Sequence, residues 1–144
     1  MPLPFSKLFP FRRKPKAAAG ATAGPMPVGR QGEELARRHL ERHGYRIIAC
    51  NYRVRFGEID LIAEEGETLV FIEVKTRTGP THGHPLEAVT PAKQRQLARV
   101  ALEYLSRERG ERPVRFDVVA VLLNTSGPPR IEIIRNAFEL PAGM

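Results

Sequence analysis

Two stretches of alternating apolar residues, 56–64 and 68–76, lie on either side of a turn centred on Gly66. Alternation with a period of two is typical of β-strands, and a short Gly-containing connection joins such strands into a hairpin. Each stretch also carries an acid between apolar neighbours, Asp60 in the first and Glu73 in the second. A carboxylate inside an apolar strand is costly unless it is paired or bound to a metal ion. The hairpin therefore predicts both a sheet and a chemical site.

The rest of the chain predicts two helices and further strands around this hairpin. Gly44 is a plausible terminator of the first helix, and Thr90-Pro91 is a typical helix start. The order of elements predicts an α/β fold, a mixed β-sheet flanked by helices. In chain order, the predicted elements are a helix at 32–43, strands at 45–53, 56–64 and 68–76, a helix at 90–109, and strands at 114–123 and 130–135.

The hairpin geometry indicates how the two acids could form one site. Strict alternation places the odd-numbered residues 59 to 63 on one face of the first strand, and Glu73 with Lys75 on one face of the second. If Asp60 lies on the Glu73 face, it stands opposite residue 71 or 73. Either register brings both carboxylates within reach of one divalent ion, as phosphodiester hydrolysis requires.

Lysine usage singles out one basic residue beside these acids. Residues 29–144 contain sixteen Arg and only two Lys, Lys75 and Lys93. A lysine inside a strand of such a chain suggests that a compact ammonium is needed there rather than a planar guanidinium. Next to a metal, Lys75 could orient the attacking water, lower its pKa, or stabilise charge on the phosphate. Glu33, on the flank of the first helix, is a third candidate acid.

Composition sets the broad class of protein. A chain of 144 residues suits one domain with a substantial core. The single cysteine, Cys50, excludes a disulfide framework and a thiolate zinc site, so a reducing cytoplasm is the expected compartment. No apolar run is long enough for a transmembrane helix or for the apolar segment of a secretion signal. We therefore expect a cytoplasmic protein with no membrane partner.

The N-terminal segment is the most basic part of the chain. Residues 1–28 contain five Lys or Arg and no acid, which accounts for five of the net charge of +7. Frequent Pro and Gly without periodicity predict a disordered extension at 1–28, followed by a single domain at 29–140. A basic arm attracts polyanions, but it also serves as a solubilising tail, and the two interpretations stay open.

Six sequence blocks stand in order along the chain: Gly32-Glu33-Glu34-Leu35-Ala36, Asn51-Tyr52-Arg53, Phe56-Gly57-Glu58-Ile59-Asp60-Leu61-Ile62, Phe71-Ile72-Glu73-Val74-Lys75, Val89-Thr90-Pro91-Ala92-Lys93 and Arg115-Phe116-Asp117-Val118-Val119. Together these blocks closely resemble the YraN family, which is generally grouped with the PD-(D/E)XK nucleases. That family looks similar in fold to archaeal Holliday-junction resolvases. The resemblance spans residue 29 to the segment Asn136-Ala137-Phe138.

The resemblance implies a restriction-endonuclease-like fold and assigns roles to particular residues. The catalytic set would be Glu33, Asp60, Glu73 and Lys75, and the metal ligands Asp60, Glu73 and the carbonyl of Val74. Lys93 or Gln94 on the second helix would occupy the position that often contacts the phosphate or the metal-bound water. Arg95, next to them in the sequence, is added as a candidate contact to nucleic acid. The proline of the superfamily name is absent, since Ile59 precedes Asp60.

The expected function is a Mg²⁺- or Mn²⁺-dependent endonuclease acting on DNA, with branched or flapped structures as candidate substrates. Few residues are suited to read bases, so recognition of shape and backbone is expected. A homodimer would suit cutting both strands of a junction. One alternative is a non-catalytic nucleic-acid-binding module with the same fold. Another is a protein-interaction domain within a larger assembly.

The acidic residues also have structural interpretations. Asp60 and Glu73 could be ion-paired with basic side chains and carry no chemistry. Of two adjacent helical acids, Glu33 is preferred for the site, whereas Glu34 is expected to be solvated. Asp117, at the start of a strand, is assigned no chemistry.

Other polar residues are interpreted in the same way. His82 and His84 lie in a loop rich in Gly and Pro, where a surface position is favoured over a metal pair. Cys50 is expected to be a buried, small hydrophobic residue. Arg95 and Arg99 on the second helix form either a solvated face or a track for a phosphate backbone, and both remain open.

Overall fold

The computed structural model describes residues 25–79, 84–124 and 126–140. Most of the predicted basic extension therefore lies outside the described residues, as does His82. A short 3₁₀ helix, Pro85–Ala88, precedes the second helix. The main elements are α1 (Val28–Arg42), β1 (Arg46–Val54), β2 (Gly57–Glu65), β3 (Thr68–Thr78), α2 (Pro91–Leu105), β4 (Val114–Leu123) and β5 (Arg130–Phe138).

The five strands form one sheet in the order β1-β2-β3-β4-β5. Neighbouring strands are antiparallel except for β3 and β4, which are parallel. A parallel pair needs a long crossover, and α2 supplies it. One helix covers each face, because α2 packs on one core cluster and α1 on the other. The predicted α/β class, a mixed sheet flanked by helices, is confirmed.

The side chains of β2 do not alternate strictly between the two faces of the sheet. The prediction that the odd-numbered residues 59 to 63 share one face is therefore wrong. Ile59 and Ile62 pack in the core beneath α2, whereas Leu61 packs in the core beneath α1. The irregularity coincides with Asn51 of β1, whose φ is 53°. In the register of β1 and β2, the residues on either side are paired, but Asn51 and Asp60 are not. A left-handed residue turns the strand over locally, so alternation does not fix the orientation of Asp60.

Helix α2 begins as predicted and ends earlier. Thr90 is the N-cap residue, and its side chain accepts a hydrogen bond from the Lys93 backbone N–H. The helix ends at Leu105, not at residue 109. The Ser106 hydroxyl donates to the Glu103 carbonyl at 2.7 Å. Such back-bonding competes with the helical pattern and favours an earlier end.

Cys50 is exposed, so the prediction of a buried cysteine is wrong. It lies on β1, an edge strand of the sheet, which has a neighbouring strand on only one side. Strand β5, the other edge, is longer than predicted and reaches Phe138. Its pairing with β4 contains an irregularity, and Asn136 within that segment has a φ of 52°.

A buried acid on β4 is the centre of a hydrogen-bond network. Asp117 is almost fully buried and accepts hydrogen bonds from the Tyr45 hydroxyl at 2.7 Å and from Arg115 at 2.8 Å. It also accepts from the Asn136 backbone N–H at 2.9 Å, which fixes the irregularity in β5. Arg115 in turn donates to Glu65 at 2.8 Å. Asp117 is therefore a structural acid, consistent with its having been assigned no chemistry.

No helix within the described ranges is long and apolar enough to cross a membrane.

Candidate active site

The two strand acids lie where β2 and β3 separate. The paired register of these strands runs from Glu65–Thr68 to Leu61–Ile72. Continuing it by one residue sets Asp60 opposite Glu73, one of the two predicted registers. The Val74 N–H donates to the Asp60 carboxylate at 2.8 Å. The Asp60 side chain therefore occupies the gap between the strands, where a backbone carbonyl would otherwise accept.

The same hydrogen bond fixes the direction of the Val74 carbonyl. In a β-strand, the N–H and C=O of one residue point to the same side. Because the Val74 N–H points toward Asp60, its carbonyl also points toward β2, beyond the last described pair of the ladder. The carbonyl thus faces the gap that holds the Asp60 carboxylate. This direction suits the ligand role that the resemblance implies for Val74.

Glu73 is buried with only part of its hydrogen-bonding capacity used. Its side chain is on the α2 side of the sheet, and the residue is 6% exposed. Oε1 lies 3.5 Å from Lys75 Nζ and 3.8 Å from Lys93 Nζ. Oε2 is buried and has no hydrogen-bond partner. A buried, unpartnered carboxylate oxygen is costly, so this atom indicates a position for a cation or donor.

The electrostatics of the site disfavour two negative charges. Burial, followed by the charge of Glu73, raises the pKa of Asp60 to about 7, although the hydrogen bond from Val74 opposes the shift. Burial also raises the pKa of Glu73, against the charges of Lys93 and Lys75. Each carboxylate therefore carries its charge at a cost that a cation between them would reduce.

Helix α1 reaches the site through a close contact with β3. A Cβ atom on Gly32 would lie 2.7 Å from Thr76 Cβ and would overlap Thr76 Oγ1. Only glycine allows this approach. The next residue, Glu33, is near enough for its charge to raise the pKa of Asp60 further. Glu34 instead pairs with two arginines of its own helix, as expected of a solvated acid.

The residues predicted to contact nucleic acid occupy three different environments. Lys93 is half-buried and turned toward Glu73. Gln94 donates to the Val89 carbonyl at 3.1 Å, which secures the start of α2. Arg95 is exposed. The structure therefore joins Lys93 to the acids, while Arg95 alone faces outward.

Glu58 is a further acid near the site that the sequence analysis did not assign to it. Glu58 pairs with Arg53 at 2.9 Å, as a turn or surface residue would. Its charge nevertheless contributes to the raised pKa of both Asp60 and Glu73. The only sequence feature that could have placed Glu58 near the site is its position two residues before Asp60. His84 is occupied structurally, because its Nδ1 accepts from the Leu86 N–H at 3.2 Å.

The donor set was compared with what a divalent ion requires. Within the described parts of the chain, no group of three or more His, Cys, Asp or Glu residues is arranged to hold a metal ion. The available set is Asp60, Glu73 and the Val74 carbonyl. Mg²⁺ is commonly bound through one or two carboxylates, with waters and substrate phosphates completing its shell. The unpartnered Oε2 of Glu73 and the carboxylate of Asp60, which the register sets opposite Glu73, fit that type of site.

Fold and site together define a single-sheet α/β domain in which the buried Glu73 lies near two lysines and opposite the half-buried Asp60. Residues 32–121 match the model of the uncharacterised protein family UPF0102. The chain is 52% identical over 115 residues to a UPF0102 protein of Geobacter sulfurreducens, covering 78% of this chain and 89% of the relative. It is 56% identical over 112 residues to one of Symbiobacterium thermophilum, covering 77% and 95% respectively.

The chain therefore belongs to the UPF0102 family. YraN and UPF0102 denote the same family, so the predicted family membership is confirmed.

Proposed function

We propose that this protein is a metal-dependent nuclease that hydrolyses phosphodiester bonds of DNA. The proposal rests on one observation above all, the buried and unpartnered Oε2 of Glu73, a residue whose charge acts on the carboxylate of Asp60. The resemblance to the PD-(D/E)XK nucleases supports it, since that superfamily uses an acid followed two residues later by a lysine. Branched or flapped DNA is the candidate substrate, and a homodimer would suit cutting both strands.

Asp60, Glu73 and the Val74 carbonyl would hold a Mg²⁺ or Mn²⁺ ion. When bound, such an ion supplies Lewis-acid activation of a water and of the phosphate oxygen. The chain's own residues prepare the site for both. The Val74 N–H holds the Asp60 carboxylate in the gap between the strands. The same bond leaves the second Asp60 oxygen for other contacts.

The two lysines supply positive charge where a phosphate would gain negative charge. Lys75 Nζ and Lys93 Nζ approach the same oxygen of Glu73 from β3 and α2. Preorganised charges of this kind stabilise a transition state more than a mobile side chain would. Lys75 would orient the attacking water, and Lys93 would neutralise a non-bridging phosphate oxygen. Glu33, carried by α1, would accept a hydrogen bond from the water on the other side.

The test is cleavage of labelled duplex, single-stranded, flapped and four-way-junction DNA and RNA with Mg²⁺, Mn²⁺ or EDTA. We expect metal-dependent products from the wild type, and a loss of at least about 100-fold in Asp60→Asn and Lys75→Ala, comparable to removing one charge-stabilising group. A matched pair on α1 controls for charge. Glu33→Gln should slow cleavage, whereas Glu34→Gln should not. Products that persist in EDTA or in Asp60→Asn would refute the proposal.

A non-catalytic nucleic-acid-binding module is the second candidate, and the charges of the site favour it. Two lysines already lie within 3.8 Å of Glu73 Oε1, so the charge of this carboxylate is balanced without a cation. This candidate predicts DNA binding that is unchanged by metal and unaffected by Asp60→Asn, with no cleavage under any condition. A protein-interaction domain would instead show no binding to DNA even at low salt.

A further inference from the structure

A cleft of about 410 Å³ opens beside the candidate active site, on the side of β3 away from Asp60. Lys75 belongs to both, because it contacts Glu73 and also lines the cleft. Strands β3, β4 and β5 form its floor and walls, and Pro85 of the 3₁₀ helix lies at its edge. None of its described lining residues comes from α2. The cleft is therefore a lateral extension of the site.

The strand registers explain the shape of the cleft. Two rows of paired residues cross the three strands, Lys75–Ala120–Glu132 and Arg77–Leu122–Arg130. Paired residues, and residues two apart on one strand, share a face of the sheet. The six side chains therefore project together. Ala120 is the smallest of the six. It lies in the middle of its row, between the long side chains of Lys75 and Glu132, and its small size leaves a depression there.

The chemistry of the cleft suits a nucleotide. Lys75, Arg77 and Arg130 line it together with Glu132, the one acid among its described lining residues. Arginine binds phosphate oxygens through two parallel hydrogen bonds, and lysine contributes a point charge. The Ala120–Leu122 floor between these charges is apolar, as the faces of a base and sugar require. Cationic walls around an apolar floor match one phosphate group with its attached nucleoside.

We propose that this cleft binds one unpaired nucleotide of the DNA strand, next to the scissile phosphate in the candidate active site that Lys75 borders. The inference rests on the proposed function, because it places the cleft beside the scissile bond. A volume of about 410 Å³ lies at the lower end of small-ligand sites, which range over roughly 300–1,000 Å³. It accepts a single nucleotide but not a base pair with its second backbone. Cleavage therefore requires an unpaired nucleotide beside the cut, as at a flap or junction.

The test measures binding of the full chain to fluorescein-labelled oligothymidylate of about twelve nucleotides, and to a duplex of the same length, in EDTA. Ala120→Leu fills the floor of the cleft without changing its charge, and Arg130→Ala removes one wall. We expect each to weaken single-strand binding about tenfold, equivalent to about 1.4 kcal/mol, with duplex binding unchanged. Arg38→Ala, an exposed arginine of α1, is the charge control and should alter neither.

Equal loss of single-strand and duplex binding in Ala120→Leu, or no loss of either, would overturn the inference. Melting temperatures equal to that of the wild type establish that the variants are folded, and Ala120→Ser serves as a second variant that leaves the floor open and should bind normally. Failure of the proposed function is distinguishable. A protein that cuts nothing, yet loses single-strand binding selectively in Ala120→Leu, retains the cleft and loses only the nuclease.

Discussion

Replacing Asp60 by asparagine should stabilise the metal-free protein at neutral and alkaline pH. Burial and the charge of Glu73 raise the pKa of Asp60 to about 7, whereas an unfolded aspartate titrates near 3.9. Between about pH 4 and pH 7, the folded protein holds a proton that the unfolded chain has lost. The free energy of unfolding of the wild type therefore falls as pH rises through this window. Above about pH 7, the folded protein bears the full cost of the ionised Asp60 carboxylate.

The size of the effect follows from the pKa difference. Three pH units at about 1.4 kcal/mol each set a ceiling of about 4 kcal/mol. The actual gain is smaller, because the titrations of Glu73 and Asp60 are linked and Lys75 and Lys93 partly offset the negative charge. We therefore expect Asp60→Asn to raise the free energy of unfolding by about 1–2 kcal/mol at pH 8. Asparagine keeps an oxygen for the Val74 N–H, so the substitution removes charge and preserves that hydrogen bond. Near pH 4, the variant and the wild type should differ little.

Urea unfolding in EDTA at several pH values between 4 and 8 measures the difference directly. Glu34→Gln, which removes an exposed acid, should stay within about 0.5 kcal/mol of the wild type throughout. A variant less stable than the wild type at pH 8, or a difference of the same size at pH 4, would refute the reasoning. Adding Mg²⁺ should raise the stability of the wild type in proportion to the logarithm of its concentration, and should leave Asp60→Asn unchanged.

Three further substitutions test the packing around the site, each by urea unfolding. Gly32→Ala should cost about 1–3 kcal/mol because its Cβ has no room against β3, whereas Gly29→Ala in the same helix meets nothing and should be neutral or slightly stabilising. Asp117→Asn should cost about 3 kcal/mol by leaving Arg115 poorly paired. Thr90→Ala should cost about 1 kcal/mol through loss of the N-cap, and Thr90→Ser should not.

The sheet and its helices could be predicted because their signals are local. The hairpin around Gly66, the Thr90 cap and the start of β4 each depend on residues a few positions apart. The break in the side-chain alternation of β2 at Asp60 could not be predicted in the same way. It requires a left-handed Asn51 on the neighbouring strand, and asparagine adopts that conformation in some contexts and not in others.

The candidate site was partly visible for a similar reason. The pair Glu73 and Lys75 follows from alternation within one strand, and the register with Asp60 follows from a short turn. The approach of Lys93 from α2 was visible only through the resemblance. The cleft was not visible at all, because Ala120 and Arg130 gain their significance from the pairing of three strands that are distant in sequence.

The two buried acids of the fold allow structure and function to be separated. Asp117 and Glu73 both lie inside apolar strands, although only Glu73 is followed two residues later by a lysine. Both Asp117 oxygens accept hydrogen bonds from side chains or backbone, so its burial is compensated within the chain. Glu73 shares one oxygen between two lysines at 3.5 and 3.8 Å, while the other has no partner. The chain satisfies Asp117 fully and leaves one oxygen of Glu73 without a partner, and this contrast is the physical argument for placing the proposed function at Glu73.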